Sequence, residues 1–165
     1  CGRGFLDGRR RSKRRGMEPF ATSRDIQAPV AAVFAAISTP ERLATWWGPK
    51  GFRNEVTECV FAEGGRWLFT MVAPDGPTST GARYANECRF RSIEAPSRIV
   101  IEHVNGPVFV LTITLTASED GTRTTVGWEQ AFEDAAVAAQ VAAIVIPANE
   151  ENLDRLTEEV LNPTR

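Results

Sequence analysis

Between residues 39 and 76 the spacing of apolar residues changes from helical to extended, and this change constrains the fold more than any other feature of the chain. The segment begins TPERLATWWGPKGF, in which Thr-Pro predicts the start of a short helix and Gly-Pro its end. A Gly-Gly pair then begins the segment GGRWLFTMVAPDG. There Trp67, Phe69 and Met71 alternate with other residues, which is typical of a strand with one buried face.

The same spacing rules predict the remaining elements. Strands are predicted at 20–27, 52–61, 66–72, 82–93, 98–104, 108–117 and 122–132, with helices from Ala28-Pro29, at 39–47 and at 134–161. This order favours an α+β domain in which a curved antiparallel sheet wraps around the last helix. Such a sheet can enclose a cavity between itself and the helix.

Pro147 lies inside the predicted last helix. A proline there removes one backbone donor and collides with the preceding turn, so a bend or break is expected between about Ala143 and Pro147. The segment 135–146 would then be free to tilt and to act as a gate over the cavity. The segment 148–161 would anchor the fold through a stripe of leucine and valine.

Charge is distributed unevenly along the chain. Residues 1–16 contain seven Arg or Lys and one Asp, so their net charge is +6. Because the net charge of the whole chain is −2, the remaining residues carry a net charge of −8. A segment of this composition cannot bury enough apolar surface to fold. We therefore predict a disordered basic extension or expression remnant at 1–16 and one folded domain at 17–165. A basic arm for nucleic acid or a targeting signal is the alternative, although the acidic domain argues against nucleic acid as a partner.

Cysteine is sparse, with three residues and no CxxC spacing. This excludes a disulfide framework and a zinc site of that kind, and it favours a reducing, cytoplasmic location. No apolar run approaches the ~18 residues that a membrane span requires, so no membrane partner is expected. No cofactor or metal is expected either.

The segments TPERLATWWGPKGF, GGRWLFTMVAPDG, EAPSRIVIEH and ANEENLDRLTEEVL together resemble bacterial proteins similar to the activator of heat-shock-protein ATPase, C-terminal domain type. These proteins belong to the START-like or SRPBCC superfamily and have the helix-grip fold of the birch-pollen allergen. The resemblance covers about residues 20–161. It implies a sheet of about seven antiparallel strands that grips the C-terminal helix, two short helices after the first strand, and a hydrophobic ligand cavity. It does not carry over a chaperone role, because the separate N-terminal domain of the eukaryotic activator has no counterpart here.

Ligand-binding residues are predicted where large apolar side chains and isolated polar groups share the presumed concave face. Helix residues near 141–145 would cover that face. Two adjacent tryptophans could line the mouth of the pocket, although their simpler role is the apolar end of a short helix packed on the sheet. Neighbouring helical residues point ~100° apart, so both are not expected to face one core. The candidates are Trp46, Trp47, Trp67, Phe69, Met71, Asn86, Cys88, Phe90, His103, Trp128, Gln130, Val141 and Val145.

Polar groups on that face need partners if they are buried. An unpaired buried amide costs ~1–3 kcal/mol, so Asn86 and Gln130 should bond to neighbouring side chains or to the contents of a cavity. His103 is the single histidine of the chain. A hydrogen-bonded structural role is favoured for it over ligand binding, and ligand binding over catalysis, because no nucleophile motif or second histidine accompanies it.

Three functions remain open from the sequence. The first is non-catalytic binding of a small apolar ligand, with no catalytic residue assigned. The second is an enzyme of the cyclase or hydrolase kind, acting on a polyketide-like or aromatic substrate with His103 as acid–base group. The third is an interaction protein that contacts a chaperone or forms a homodimer, with an exposed Trp46 or Trp47 as the anchor.

Overall fold

The computed structural model describes residues 18–77 and 81–163. The basic segment 1–16 and the domain start at Met17 therefore lie outside the described residues, and the domain boundaries stay a prediction. In chain order, the elements are β1 (Phe20–Ile26), α1 (Val30–Ser38), α2 (Pro40–Trp46), β2 (Arg53–Cys59), β3 (Arg66–Val72), β4 (Arg83–Glu94), β5 (Arg98–His103), β6 (Phe109–Ala117), β7 (Thr124–Phe132) and α3 (Ala135–Leu161).

The seven strands form one antiparallel sheet in the order β1-β7-β6-β5-β4-β3-β2. Consecutive strands from β2 to β7 are neighbours, and β1 returns to pair with β7 at the edge. Register shifts interrupt the pairing between Val56 and Glu58 and between Phe90 and Ser92. Such bulges bend and twist a strand. The α+β helix-grip architecture expected from the sequence, a curved sheet wrapped on a long C-terminal helix, is confirmed.

The core fills the space between the inner face of the sheet and all three helices. Alternate strand residues point inward, and α1, α2 and the second half of α3 cover them. The largest side chains that are almost completely buried are Trp46, Trp67, Trp128, Phe90, Ile26, Ile37, Leu43, Ile99, Ile101, Leu111, Ile113 and Leu153. Every buried residue of α3 lies at or beyond Asn149. The first half of α3 therefore contributes little to the core.

The break predicted at Pro147 is wrong. The helix α3 is continuous from Ala135 to Leu161. Pro147 and Ala143 are both exposed, so water can satisfy the carbonyl that loses its donor. Asp134 caps the helix by accepting hydrogen bonds from the backbone N–H groups of the first turn. The helix is not interrupted at Pro147, so the gate over residues 135–146 would require a bend, and it stays a prediction.

Candidate functional site: a cavity under the long helix

A cavity of about 630 Å³ lies between the inner face of the sheet and the first half of α3. Its wall is mainly aromatic and aliphatic, with a few polar groups among them. The lining residues are Trp47, Gly48, Pro49, Phe52, Phe69, Met71, Arg83, Tyr84, Ala85, Asn86, His103, Gly106, Pro107, Phe109, Leu111, Trp128, Gln130, Phe132, Val141, Ile144, Val145, Ala148, Asn149 and Asn152.

The two halves of α3 meet the sheet differently. In the second half, Leu153 and Leu156 are fully buried in the core. In the first half, Val141, Ile144, Val145 and Ala148 line the cavity.

Nine of the thirteen predicted site residues line this cavity: Trp47, Phe69, Met71, Asn86, His103, Trp128, Gln130, Val141 and Val145. The other four, Trp46, Trp67, Cys88 and Phe90, lie in the closed core instead. Alternation along a strand identifies its inner face but not the point at which the helices stop covering it. Whether the nine residues bind a ligand stays a prediction.

The two adjacent tryptophans do face one core, contrary to the expectation from helical geometry. Trp47 follows the helix with φ −65° and ψ 134°, so its side chain is not placed by the helical turn. Its ring lies 5.7 Å from that of Trp46, and both rings contact Trp128. Trp46 is 1% and Trp47 7% exposed. The prediction that an exposed Trp46 or Trp47 anchors a protein partner is therefore wrong.

Both ring nitrogens of His103 face oxygen atoms of the protein at hydrogen-bonding distance. Nδ1 lies 2.8 Å from the carbonyl oxygen of Pro107, and Nε2 lies 2.8 Å from Oδ1 of Asn86. The Asn86 amide in turn donates to the carbonyl of Tyr84, and the imidazole stacks on Phe109. A neutral ring has a single N–H for two facing oxygens, which favours the protonated form. Burial opposes this more strongly, so the pKa of His103 lies below its ordinary value of 6.5.

We expect His103 to make the folded protein less stable as pH falls below 6.5. Its lowered pKa means that the unfolded chain takes up a proton before the folded chain does, so its stabilising effect is complete above the unfolded value and is lost below it. One such group gives a slope of at most about 1.4 kcal/mol per pH unit. Urea denaturation at ~pH 7.5 and ~pH 5 should show a smaller pH dependence for His103→Gln than for the natural protein. Equal pH dependence in the two proteins would contradict the buried, neutral histidine.

Two buried polar atoms on the wall have no hydrogen-bond partner, namely Nε1 of Trp128 and Oε1 of Gln130. The two residues are 2% and 9% exposed. A buried unpaired donor or acceptor costs about 1–3 kcal/mol, and native proteins rarely retain one without a reason. Both atoms are enclosed by neighbouring protein atoms, although other atoms of the two residues line the cavity.

Several wall residues were missed by the sequence analysis. Tyr84 precedes Asn86 on the same face of β4 and lines the cavity, but it was not among the predicted site residues. The alternation that predicted Gln130 also reaches Phe132, which could have been found in the same way. Asn149 and Asn152 were missed because buried amides on a helix have no distinctive spacing. Asn152 bonds the backbone at Trp46 and Gly48, so the α2 end and the cavity wall are joined.

Neither Cys59 nor Cys88 lines the cavity. Among the residues that the structure describes, no group of three His, Cys, Asp or Glu side chains is placed to hold a metal ion. Burial raises the pKa of the Cys88 thiol to about 12 and that of Cys59 to about 11. Both thiols are therefore protonated at neutral pH and poor nucleophiles.

Residues 27–160 match the family described as Activator of Hsp90 ATPase homolog 1-like protein. The chain belongs to this family. The match runs from the end of β1 to the last turn of α3, so it includes the whole wall of the cavity. It confirms the resemblance found in the sequence. No curated protein matches the chain.

Solved structures of similar proteins share the fold of this chain. A protein from Arthrobacter aurescens gives a TM-score of 0.76 at 22% identity, over 88% of this chain and 87% of that one. A protein from Chromobacterium violaceum gives 0.70 at 22% identity, over 86% and 96%. An AHSA1-like protein from Aeromonas hydrophila gives 0.60 at 20% identity, over 88% and 97%. At these identities the similarity establishes the fold alone.

No helix within residues 18–77 and 81–163 is long and apolar enough to cross a membrane. The cytoplasmic location inferred from the sparse cysteines stays a prediction.

Proposed function

We propose that this protein binds a small, mostly apolar molecule in the cavity under α3, without catalysis. The observation that carries the proposal is the cavity itself. Its volume of about 630 Å³ lies in the range of small-molecule sites, ~300–1,000 Å³. Aromatic rings such as Phe69 and Phe109 provide apolar contact area, and the few polar groups can fix the orientation of a ligand.

The non-catalytic form of the proposal is supported by the state of the titratable wall residues. Among the described residues these are Arg83, Tyr84 and His103. Arg83 is paired with Glu55 at the exposed rim, and both ring nitrogens of His103 lie 2.8 Å from oxygen atoms of the protein. General acid–base catalysis requires a group free to exchange a proton with substrate. A cyclase or hydrolase activity with His103 as base would first have to break the contact with Asn86.

Contact with a chaperone and homodimer formation stay predictions. The anchor proposed for a protein partner, Trp46 or Trp47, is buried. The exposed apolar side chains of the described residues are spread over several elements, and Ile144 of α3 has the largest exposed fraction among them, 70%.

The proposal predicts saturable quenching of tryptophan fluorescence by at least one class of apolar ligand. All four tryptophans lie in the contacting aromatic cluster, and two of them line the cavity. A panel of fatty acids, steroids and aromatic polyketides is titrated into the protein. Ala148→Phe places a ring into the cavity from α3 and should weaken binding about tenfold, equivalent to ~1.4 kcal/mol.

Ala143→Phe provides the matched control, because Ala143 is exposed on the same helix and does not line the cavity. It should bind like the natural protein. Binding in this cavity would be contradicted if no class of ligand gave saturable quenching. It would also be contradicted if both substitutions weakened ligand binding equally.

A further inference from the structure

Most polar side chains on the cavity wall already have partners within the protein. Oδ1 of Asn86 faces a ring nitrogen of His103, and the Asn86 amide nitrogen donates to a backbone carbonyl. Asn152 accepts a hydrogen bond from the backbone N–H of Gly48 and donates one to the carbonyl of Trp46. These groups therefore have little hydrogen-bonding capacity left for a ligand.

Gln130 differs from them, because its side-chain nitrogen has no hydrogen-bond partner within residues 18–77 and 81–163. The residue is 9% exposed and lines the cavity from the inner face of β7. Its Oε1 is enclosed by neighbouring protein atoms, whereas Nε2 is not enclosed. The open end of this amide is therefore its NH₂ group, which donates hydrogen bonds and does not accept them.

A second amide, that of Asn149 on α3, lies at the same end of the cavity. Asn149 lines both the cavity and a smaller groove beside Phe20, and Phe20 is the residue that pairs with Gln130 in the sheet. Neither polar atom of its side chain has a partner in the described part of the chain. Because this amide can donate or accept, it suits either kind of ligand group. Of the two amides, only Gln130 discriminates between a donor and an acceptor.

A neutral acceptor suits the Gln130 amide better than a charged one or a donor. A carboxylate could accept from Nε2, but burial of its charge is strongly unfavourable unless a cation compensates it. Arg83 on the wall pairs with Glu55, and its side chain is 55% exposed. A hydroxyl or amine hydrogen directed at Nε2 would face another donor.

We infer that the ligand carries an uncharged carbonyl oxygen, as in a ketone, quinone or ester, which accepts a hydrogen bond from Nε2 of Gln130. This inference rests on the proposed function and adds the chemistry of the ligand to it. The apolar wall binds the hydrocarbon frame, and the amide selects molecules with an acceptor at this position. A ligand without the acceptor would cover the NH₂ group and leave it unpaired, which is unfavourable.

Isothermal titration calorimetry with two probes of one shape tests the inference. Para-acetylbiphenyl carries the carbonyl, and para-isopropenylbiphenyl has a methylene carbon in place of that oxygen. Gln130→Met keeps the length of the side chain and removes its donor. We expect the ratio of ketone affinity to alkene affinity to fall about tenfold in Gln130→Met. This double comparison cancels the different cost of removing the two probes from water.

Gln140→Met is the matched control, because Gln140 is exposed on α3 and does not line the cavity. It should keep the ratio of the natural protein. The affinity of Gln130→Met for the alkene should be equal to or higher than that of the natural protein, since the alkene loses no hydrogen bond there.

A measurement on the natural protein does not depend on whether the variant folds. In isotope-labelled protein, the side-chain NH₂ signals of Gln130 are followed by nuclear magnetic resonance as each probe is added. The ketone should shift these signals downfield, because their protons become hydrogen-bonded, and the alkene should not.

The outcomes separate the inference from the proposed function. Saturable binding of both probes with the same affinity ratio in the natural protein and Gln130→Met would overturn the carbonyl site and leave ligand binding intact. NH₂ signals that respond equally to the ketone and the alkene would overturn it as well. If neither probe bound, both the carbonyl site and the proposed cavity would be contradicted.

Discussion

Replacement of Arg155 by leucine is expected to lower the free energy of unfolding by about 3 kcal/mol, because a charged donor is removed from several carbonyl acceptors at once. The guanidinium lies on the second half of α3 and reaches across to the α2–β2 loop. It donates at 2.8–3.0 Å to the carbonyl oxygens of Thr45, Trp47, Gly48, Pro49 and Phe52. Burial lowers the pKa of Arg155, but a guanidinium remains charged at neutral pH. Four of the five carbonyls belong to residues on the cavity wall, so Arg155 also fixes the shape of the site.

Urea denaturation of Arg155→Leu, Arg155→Lys and Arg53→Leu measures this contribution. Lysine keeps the charge but cannot present two separate donor nitrogens to the loop, so Arg155→Lys should lose an intermediate amount. Arg53 is 66% exposed and pairs with Glu55 at the surface. Its replacement should change stability by less than about 1 kcal/mol. An equal free energy of unfolding for Arg155→Leu and Arg53→Leu would contradict a stabilising role of the Arg155 guanidinium in the loop.

Replacement of Gly65 by alanine is expected to destabilise the protein by about 3 kcal/mol or more, since the added methyl group collides with backbone. A Cβ at Gly65 would lie 2.0 Å from the carbonyl oxygen of Val60 and 2.8 Å from that of Ala62. Neither oxygen can rotate away as a side chain can. The same turn is fixed by Gly65 bonds to Ala62 and Phe90, so relief of the collision would disturb the pairing of β3 with its neighbours.

The adjacent glycine provides the control. Gly64 has φ +77°, and a Cβ there would meet nothing within 4 Å. Gly64→Ala should therefore cost only the strain of a left-handed conformation, about 1–2 kcal/mol. In thermal and urea denaturation, Gly65→Ala should have the lowest transition midpoint, Gly64→Ala an intermediate one and the natural protein the highest. Similar stability of the two variants would mean that the turn moves freely around residue 65.

The sheet and its helices could be predicted because they depend on local spacing. The change of apolar period after residue 52 and the long alternating segments place all seven strands, and the resemblance of four segments places them in one fold. The continuity of the helix at Pro147 could not be predicted in the same way. A proline costs a helix one hydrogen bond, but exposure to water at that turn depends on tertiary packing.

The cavity was only partly predictable for a related reason. Trp67 and Phe69 lie on the same face of β3, yet only Phe69 lines the cavity. The boundary between the closed core and the cavity lies where the helices stop covering the sheet. The alternation of residues along a strand does not predict that position. The role of Arg155 left no trace in the sequence, because its five partners are backbone carbonyls that every residue possesses.

The position of a bound probe tests the central claim, that the space under the first half of α3 holds an apolar ligand. Isotope-labelled protein is saturated with para-acetylbiphenyl, and nuclear Overhauser effects between the probe and protein methyl groups are recorded. The account predicts contacts to the methyl groups of Val141, Val145 and Leu111, which line the cavity. Contacts confined to Ile146 and Leu161, which are exposed and do not line it, would contradict the account, as would the absence of any contact at saturation.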